Sequence, residues 1–353
     1  MSEEKKPLIK SFQAIRFFLF VFIFVHHCSN LVKIEILDQS GFAVSCFIIL
    51  SGFLNGYLYC MSYDKVTFKN LKDFVFKRLK KIYPLHITML IASIGLSNVF
   101  NYKTSAEFIE FIKRLFANLF LVQSYINDQS YYFSFNGVTW FLSTYLFLTI
   151  ISIPLLVLIK KIKKSKNSSI ILILLSIILY TCLLTISYHL SHESISKEFY
   201  LYIFPPSRIF EYAIGMFFGS LLIFKKFSFK YDNILFTIFE ILTLLVIYLF
   251  IKYVPFNDYL VVWGSKWVIP SVLLLTTFSF QKGYISKFFK IDFFVKLGNA
   301  TMNMYLIHQV LINYVLSRGI GVHYRYQALY IFIITIIISL IITKYQNIKR
   351  EKN

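Results

Sequence analysis

Arg16 and His27 lie eleven residues apart within one apolar run. On a helix this spacing is almost three full turns, about 16 Å of rise, and the two side chains differ by only ~20° around the axis. The pattern is a polar line along an apolar element, with a fixed cation toward one end and an imidazole farther along. An imidazole can take a proton at neutral pH. Asn30 continues the stripe, and His26 lies ~80° away from it. An ionisable group in lipid is costly and marks function by default. The blander account is that Arg16 reaches back to the interface and His27 bonds a neighbouring helix. A second imidazole, His308, shares a helical face with Thr301 and Tyr305, while Asn299, Asn303 and Asn313 share the opposite face. A helix polar on two faces belongs inside a bundle. Counted from the same side, His27 and His308 fall at similar depth, which suggests one polar chamber.

Three further groups could do chemistry. Lys77-Arg78-Leu79-Lys80-Lys81-Ile82-Tyr83-Pro84 is a basic cluster at the mouth of an apolar run. Its cations could hold the phosphates of a nucleotide-like donor such as coenzyme A, although ordinary loop charge also accounts for it. Arg208 and Glu211 are three apart and can pair on one helical face. Lys266, between Trp263 and Trp267, reads as an interfacial anchor. Cys28, Cys46, Cys60 and Cys182 all lie in apolar runs without metal-ligand spacing, so no metal is expected.

The elements that must position these groups are set by composition. The 353 residues are 57% hydrophobic and only 15% charged, against about 25% charged in a soluble domain. Lipid is therefore the solvent. Ten spans of about 20 residues are predicted, near 12–32, 41–60, 82–100, 140–159, 168–189, 206–224, 232–253, 259–280, 293–316 and 326–344. The reading is an all-α polytopic membrane bundle of one domain, 1–353, with both termini cytoplasmic and short tails at 1–11 and 345–353. Basic residues cluster in the segments that would then be inner: Lys5 to Lys10, Lys65 to Lys81, Lys160 to Lys166, Lys225 to Lys230, Lys282 to Lys290 and Lys344 to Lys352. The outer segments hold only Lys33, Lys103, Lys113, Arg114, Lys197, Arg318 and Arg325, as the positive-inside rule requires. The net charge of +20 is spread through these loops, which argues against nucleic acid. Segment 105–126 is apolar but carries Glu107, Glu110, Lys113 and Arg114; it is expected to be an amphipathic or re-entrant helix on the outer side. The polar, aromatic stretch 127–139 is the longest outer loop. Gly52-x3-Gly56 and Gly215-x3-Gly219 allow close helix approach.

Taken in order, the motifs resemble acyltransferase family 3, which includes membrane O-acetyltransferases of bacterial surface polysaccharides. Arg16-x10-His27 is similar to the family's first-helix Arg and His. Gly41 to Phe47 with Leu50-Ser51-Gly52-Phe53 resembles its second-helix signature, and Lys77-Arg78 to Tyr83-Pro84 its basic motif. Arg208 to Tyr212 with Gly215 and Gly219 resembles its sixth-helix pattern. Leu297-Gly298-Asn299 with Tyr305-Leu306-Ile307-His308 is similar to its late motif. The resemblance spans residues 11 to about 344. There are departures: Ile15 precedes Arg16 where many members have a second arginine, Lys81 replaces an arginine and loses the bidentate fork, and Trp140-Phe141-Leu142-Ser143-Thr144-Tyr145 lacks a glutamate found in some members.

The resemblance implies transfer of an acyl group, by default acetyl, from cytoplasmic acetyl-CoA or another acyl-CoA to a hydroxyl of an extracytoplasmic polysaccharide or lipid-linked glycan, in the inner or plasma membrane. On this reading His27 and Arg16 are catalytic and Lys77, Arg78 and Lys81 hold the donor. Arg208, Glu211, His308, Tyr305, Trp140 and the 127–139 loop serve the acceptor. A transporter or flippase for lipid-linked saccharides is the alternative; it would not consume acetyl-CoA. A polysaccharide polymerase would show a large Arg-rich outer loop, and the unrelated membrane-bound O-acyltransferases would lack the Arg–His spacing.

Overall fold

A computed structural model describes residues 6–29, 40–96, 104–192, 196–224, 233–253, 265–318 and 324–351. These are helical, with no strand among the described residues. In chain order the helices are α1 (Ser11–His27), α2 (Ser40–Tyr59), α3 (Phe68–Leu96), α4 (Ser105–Leu119), α5 (Gln129–Tyr132), α6 (Trp140–Lys163), α7 (Ser168–His192), α8 (Ile209–Phe224), α9 (Asn233–Tyr253), α10 (Val268–Ser279), α11 (Tyr284–Phe289), α12 (Asp292–Arg318) and α13 (Tyr324–Glu351).

Among the described residues six helical stretches are long and apolar enough to cross a membrane: Ser40–Tyr59, Gly137–Lys163, Ser168–Leu190, Pro205–Phe224, Asn233–Tyr253 and Tyr326–Lys349. The expectation of about ten is therefore met only in part. α1 is apolar but 17 residues long, and α10 has 12 residues. α3 and α12 have the length but carry more polar side chains. Asn30, Trp263 and the predicted span ends at 97–100 and 259–264 fall outside the described residues.

Burial separates two kinds of span. α2 is 67% buried, whereas α7 is 17% buried and turns Ile173, Leu174, Ile177 and Ile178 outward. α9 and α13 are likewise peripheral. In lipid the exposed apolar faces need no cover, so these helices surround a core of α1, α2, α6, α8 and α12.

Two seams are set by glycine. Between α2 and α8 the contacts are reciprocal: a methyl group on Gly52 would strike the Tyr212 carbonyl, on Gly56 that of Met216, on Gly215 that of Ile49 and on Gly219 that of Phe53. Both predicted Gly-x3-Gly faces thus meet each other, backbone on backbone. The second seam is at Gly298, where a methyl group would strike the Gln13 carbonyl. It lets α12 lie directly against α1.

The segments predicted to share the inner face make contacts with one another. Lys6 donates to the carbonyls of Tyr57 (2.8 Å) and Leu58 (3.2 Å) at the end of α2. Lys160 pairs with Asp64 at 2.8 Å, Lys163 donates to the Phe224 carbonyl at 3.4 Å, and the Lys10 amide donates to Gln281 at 2.9 Å. The N-terminal tail is thus tied to the bundle, and the predicted 345–353 tail is helical as far as Glu351.

α3 differs from expectation. It begins at Phe68, so Pro84 lies inside the helix and not in its first turn. No breaker precedes the basic cluster, and the loss of one backbone bond at a proline is tolerated in a long, packed helix. α4 is 15 residues long and amphipathic, with Phe108, Ile109 and Phe116 exposed; Thr104 caps its first turn by accepting from the Glu107 amide at 3.2 Å. α12 is polar on two faces, but of Asn299, Asn303 and Asn313 only Asn303 is buried, donating to Thr343 of α13 at 2.8 Å. The other two lie toward the ends of the helix, where solvent or headgroups can solvate them.

Candidate active site

α1 ends at His27, and α12, held against it through Gly298, brings His308 alongside. His27 Nδ1 and His308 Nε2 are 2.8 Å apart, and the two ring planes are within 5° of parallel. His308 Nδ1 is 3.2 Å from the Met304 carbonyl one turn back. A carbonyl only accepts, so His308 carries its proton on Nδ1 and presents a lone pair at Nε2. His27 must then donate from Nδ1, which leaves its Nε2 as a lone pair. This is the arrangement of a general base held in one tautomer by a partner that is itself fixed.

His308 is fully buried, whereas His27 is only partly buried. Phe20 stands edge-on to His308 with ring centres 5.4 Å apart, and Phe24 and Tyr305 complete its cage. Both nitrogens of His308 are engaged in this conformation, and its ring lies behind that of His27. Tyr305 is also structural in this conformation: its hydroxyl donates to the Val138 carbonyl at 2.8 Å. The Asn136 amide donates to the Leu306 carbonyl, also at 2.8 Å. Together they fasten the end of the 127–139 loop over the histidine pair. Trp140 is buried and packs on Tyr202, ring centres 4.9 Å apart.

The predicted donor cations divide. Lys77 and Lys81 are exposed, whereas Arg78 turns inward. Its guanidinium donates to Asn55 at 2.6 Å and to the Phe74 carbonyl at 3.3 Å, and lies 3.4 Å over the Phe74 ring. Asn55 in turn donates to the Tyr212 hydroxyl at 2.5 Å, which bonds Ser152 at 2.6 Å. Arg16 reaches Gln13 at 3.3 Å. The Tyr145 phenol on α6 is within electrostatic reach of both Arg78 and Arg16. Tyr145 thus lies near both Arg16 and Arg78, which spacing did not reveal. Asn55, Tyr145, Tyr212 and Ser152 were all missed; a polar residue inside the glycine-rich α2 was the one available hint.

Arg208 and Glu211 pair at 2.8 Å, each 1% exposed. Arg208 also donates to Ser45 on α2 at 3.1 Å and to the Leu201 carbonyl at 3.2 Å. The pair ties α8 to α2 and presents no accessible face to a glycan in this conformation. Lys266 is buried too, 4.3 Å over Trp267, and is not a surface anchor. Among the described residues no group of three side chains could hold a metal.

The sequence from residue 9 to residue 344 matches the acyltransferase 3 family, described as an acyltransferase domain. The chain belongs to this family. The match covers nearly the whole chain, so this is an acyltransferase of a membrane family, and the histidine pair lies within the matched region. No curated protein and no solved structure matches the chain.

Proposed function

We propose that the acyltransferase moves an acyl group from acyl-CoA, entering at the basic end of the bundle, to a hydroxyl of an extracytoplasmic glycan. The observation that supports this most directly is the 2.8 Å contact between His27 and His308, which leaves His27 Nε2 as a proton acceptor. The basic end is taken as cytosolic on the positive-inside rule, and the membrane as the plasma or inner membrane, which adjoins both cytosolic acyl-CoA and an outer glycan. Lys77 and Lys81, exposed there, would meet the donor phosphates. Arg78 and Arg16 would draw the pantetheine arm inward.

In the step itself, the acceptor oxygen attacks the thioester carbonyl carbon while its proton passes to His27 Nε2. The C–S bond then breaks, and the thiolate of coenzyme A leaves with that proton. The C-terminus of α1 favours the cation that His27 briefly becomes. General-base help of this kind is worth about 10²- to 10⁴-fold.

The test is transfer of labelled acetyl from acetyl-CoA to surface glycan in membranes containing wild type, His27→Ala or Arg16→Ala. Loss of transfer in both variants, with the proteins still folded, is expected. Wild-type rates in both would overturn the assignment. Glycan translocation without any consumption of acetyl-CoA would favour the transporter alternative.

A further inference from the structure

A small cleft between α3 and α6 is lined by Leu79, Ile82, Tyr83, Leu121, Leu142 and Tyr145. The centre of a water-sized group has about 10 Å³ in which to move there, so the cleft takes one methyl and not a chain. Its accessible lining is apolar. A water in it would lack the two to four polar partners it needs, whereas a methyl group needs none.

The cleft's place in the bundle names the occupant. Tyr145 forms one wall and is the residue in reach of Arg16 and Arg78. Four residues earlier on α6, Phe141 packs on Tyr305 with ring centres 5.6 Å apart, and Tyr305 packs on His308 at 5.9 Å. Leu142, between Phe141 and Tyr145 on α6, therefore falls between the level of the histidines and that of the arginines. A thioester drawn in along the arginines would reach this level with its acyl end first.

Leu121 enters the cleft wall from the end of α4. Leu121 has φ 56°, in the left-handed region that a branched side chain seldom occupies. It is pinned there by Ser143, which donates to its carbonyl at 2.6 Å, and by its own amide, which donates to Asn118 at 3.2 Å. This is how α4 closes, with the Val122 amide also donating to the Ala117 carbonyl at 2.8 Å, and the closing turn sets the buried Leu121 side chain in the cleft wall.

Resting on the acyl-transfer reading, the geometry points to this cleft as the seat of the donor's acyl methyl, with Leu121 and Leu142 as the residues that limit the chain to acetyl. The experiment compares kcat/KM for acetyl-, propionyl- and butyryl-CoA in wild type, Leu142→Gly, Leu121→Gly and Leu142→Phe. One excess methylene is discriminated by roughly 10- to 200-fold. Wild type is expected to prefer acetyl by at least about 10-fold, and both glycine variants to lose most of that preference by gaining on the longer donors. Leu142→Phe fills the cleft and is expected to lose acetyl transfer. Should Leu142→Gly fail to fold, Leu121→Gly remains, because glycine suits φ 56°. An unchanged chain-length profile in a folded glycine variant overturns the cleft assignment and leaves acyl transfer standing. If wild type consumes no acyl-CoA of any length, the acyl-transfer reading itself falls.

Discussion

His308 touches the proposed base and nothing accessible beyond it, so its removal should act only through His27. Replacement by alanine deletes the acceptor that holds His27 Nδ1–H and empties a fully buried site between Phe20, Phe24 and Tyr305. An intramolecular hydrogen bond of this kind contributes about 1–1.5 kcal/mol net, and an unpaired buried donor loses up to about 3. At roughly 1.4 kcal/mol per tenfold in rate, kcat for His308→Ala should fall about 10- to 100-fold, with KM for acyl-CoA little changed. His308→Gln keeps an acceptor oxygen in that direction and should recover part of the loss. The decisive comparison is a double-mutant cycle in reconstituted membranes. In a His27→Ala background, His308→Ala should cost nothing further in rate. A full additional 10-fold loss there would refute a role exerted through His27, and an unchanged kcat in the single variant would refute the tautomer argument.

Gly298→Val should separate α1 from α12, because any Cβ there strikes the Gln13 carbonyl. Overpacking of about 1–3 kcal/mol should lower the melting temperature in detergent and reduce transfer in parallel. Arg208→Met leaves Glu211 buried without its partner and should destabilise by about 3–5 kcal/mol. The double change Arg208→Met with Glu211→Leu should restore folding, and an unaltered acceptor KM in that variant would confine the pair to a structural tie. Glu110 accepts from Lys113 and from Tyr131, both at 2.7 Å, which holds its carboxyl below its usual 4.5. A lowered value means that the tie from α4 to α5 is present above about pH 4.5 and is lost as acid protonates Glu110 below it. Protection of the amides of 105–119, taken as the intrinsic exchange rate at each pH over the observed one, should therefore fall on acidification in wild type and stay level over that range in Glu110→Gln.

Much of the candidate site could be read from residue type and spacing because a membrane penalises every polar group that has no task. Arg16, His27, Tyr305 and His308 stand out against an apolar background, and equal depth put the two imidazoles in one chamber without showing that they touch, as they do at 2.8 Å. The glycine faces of α2 and α8 could be read for the same reason, since small residues are conspicuous among Phe, Ile and Leu. Side-chain direction could not be read. Arg78 and Lys81 belong to one motif, yet only Arg78 turns inward, because Asn55 and the Phe74 ring receive it there. Arg208 and Glu211 looked available for a ligand, but Ser45 on a distant helix completes an internal network. Tyr145 resembles many other tyrosines in a chain of 25, and only tertiary packing places it between two arginines. The span count is less legible: α3 and α12, read as spans near 82–100 and 293–316, carry Lys, Arg, His and Asn side chains and are not among the six stretches apolar enough to qualify.

The hydrogen-bond line from His27 stops at the Met304 carbonyl, a backbone oxygen that cannot take a proton at any ordinary pH. The line is therefore a cul-de-sac and not a wire. Whatever proton His27 collects must go back out through the face that received it, to the departing thiol or to the medium beyond. Turnover should accordingly be indifferent to a proton-motive force imposed across reconstituted vesicles, unlike that of a carrier whose cycle is driven by ions crossing the bilayer.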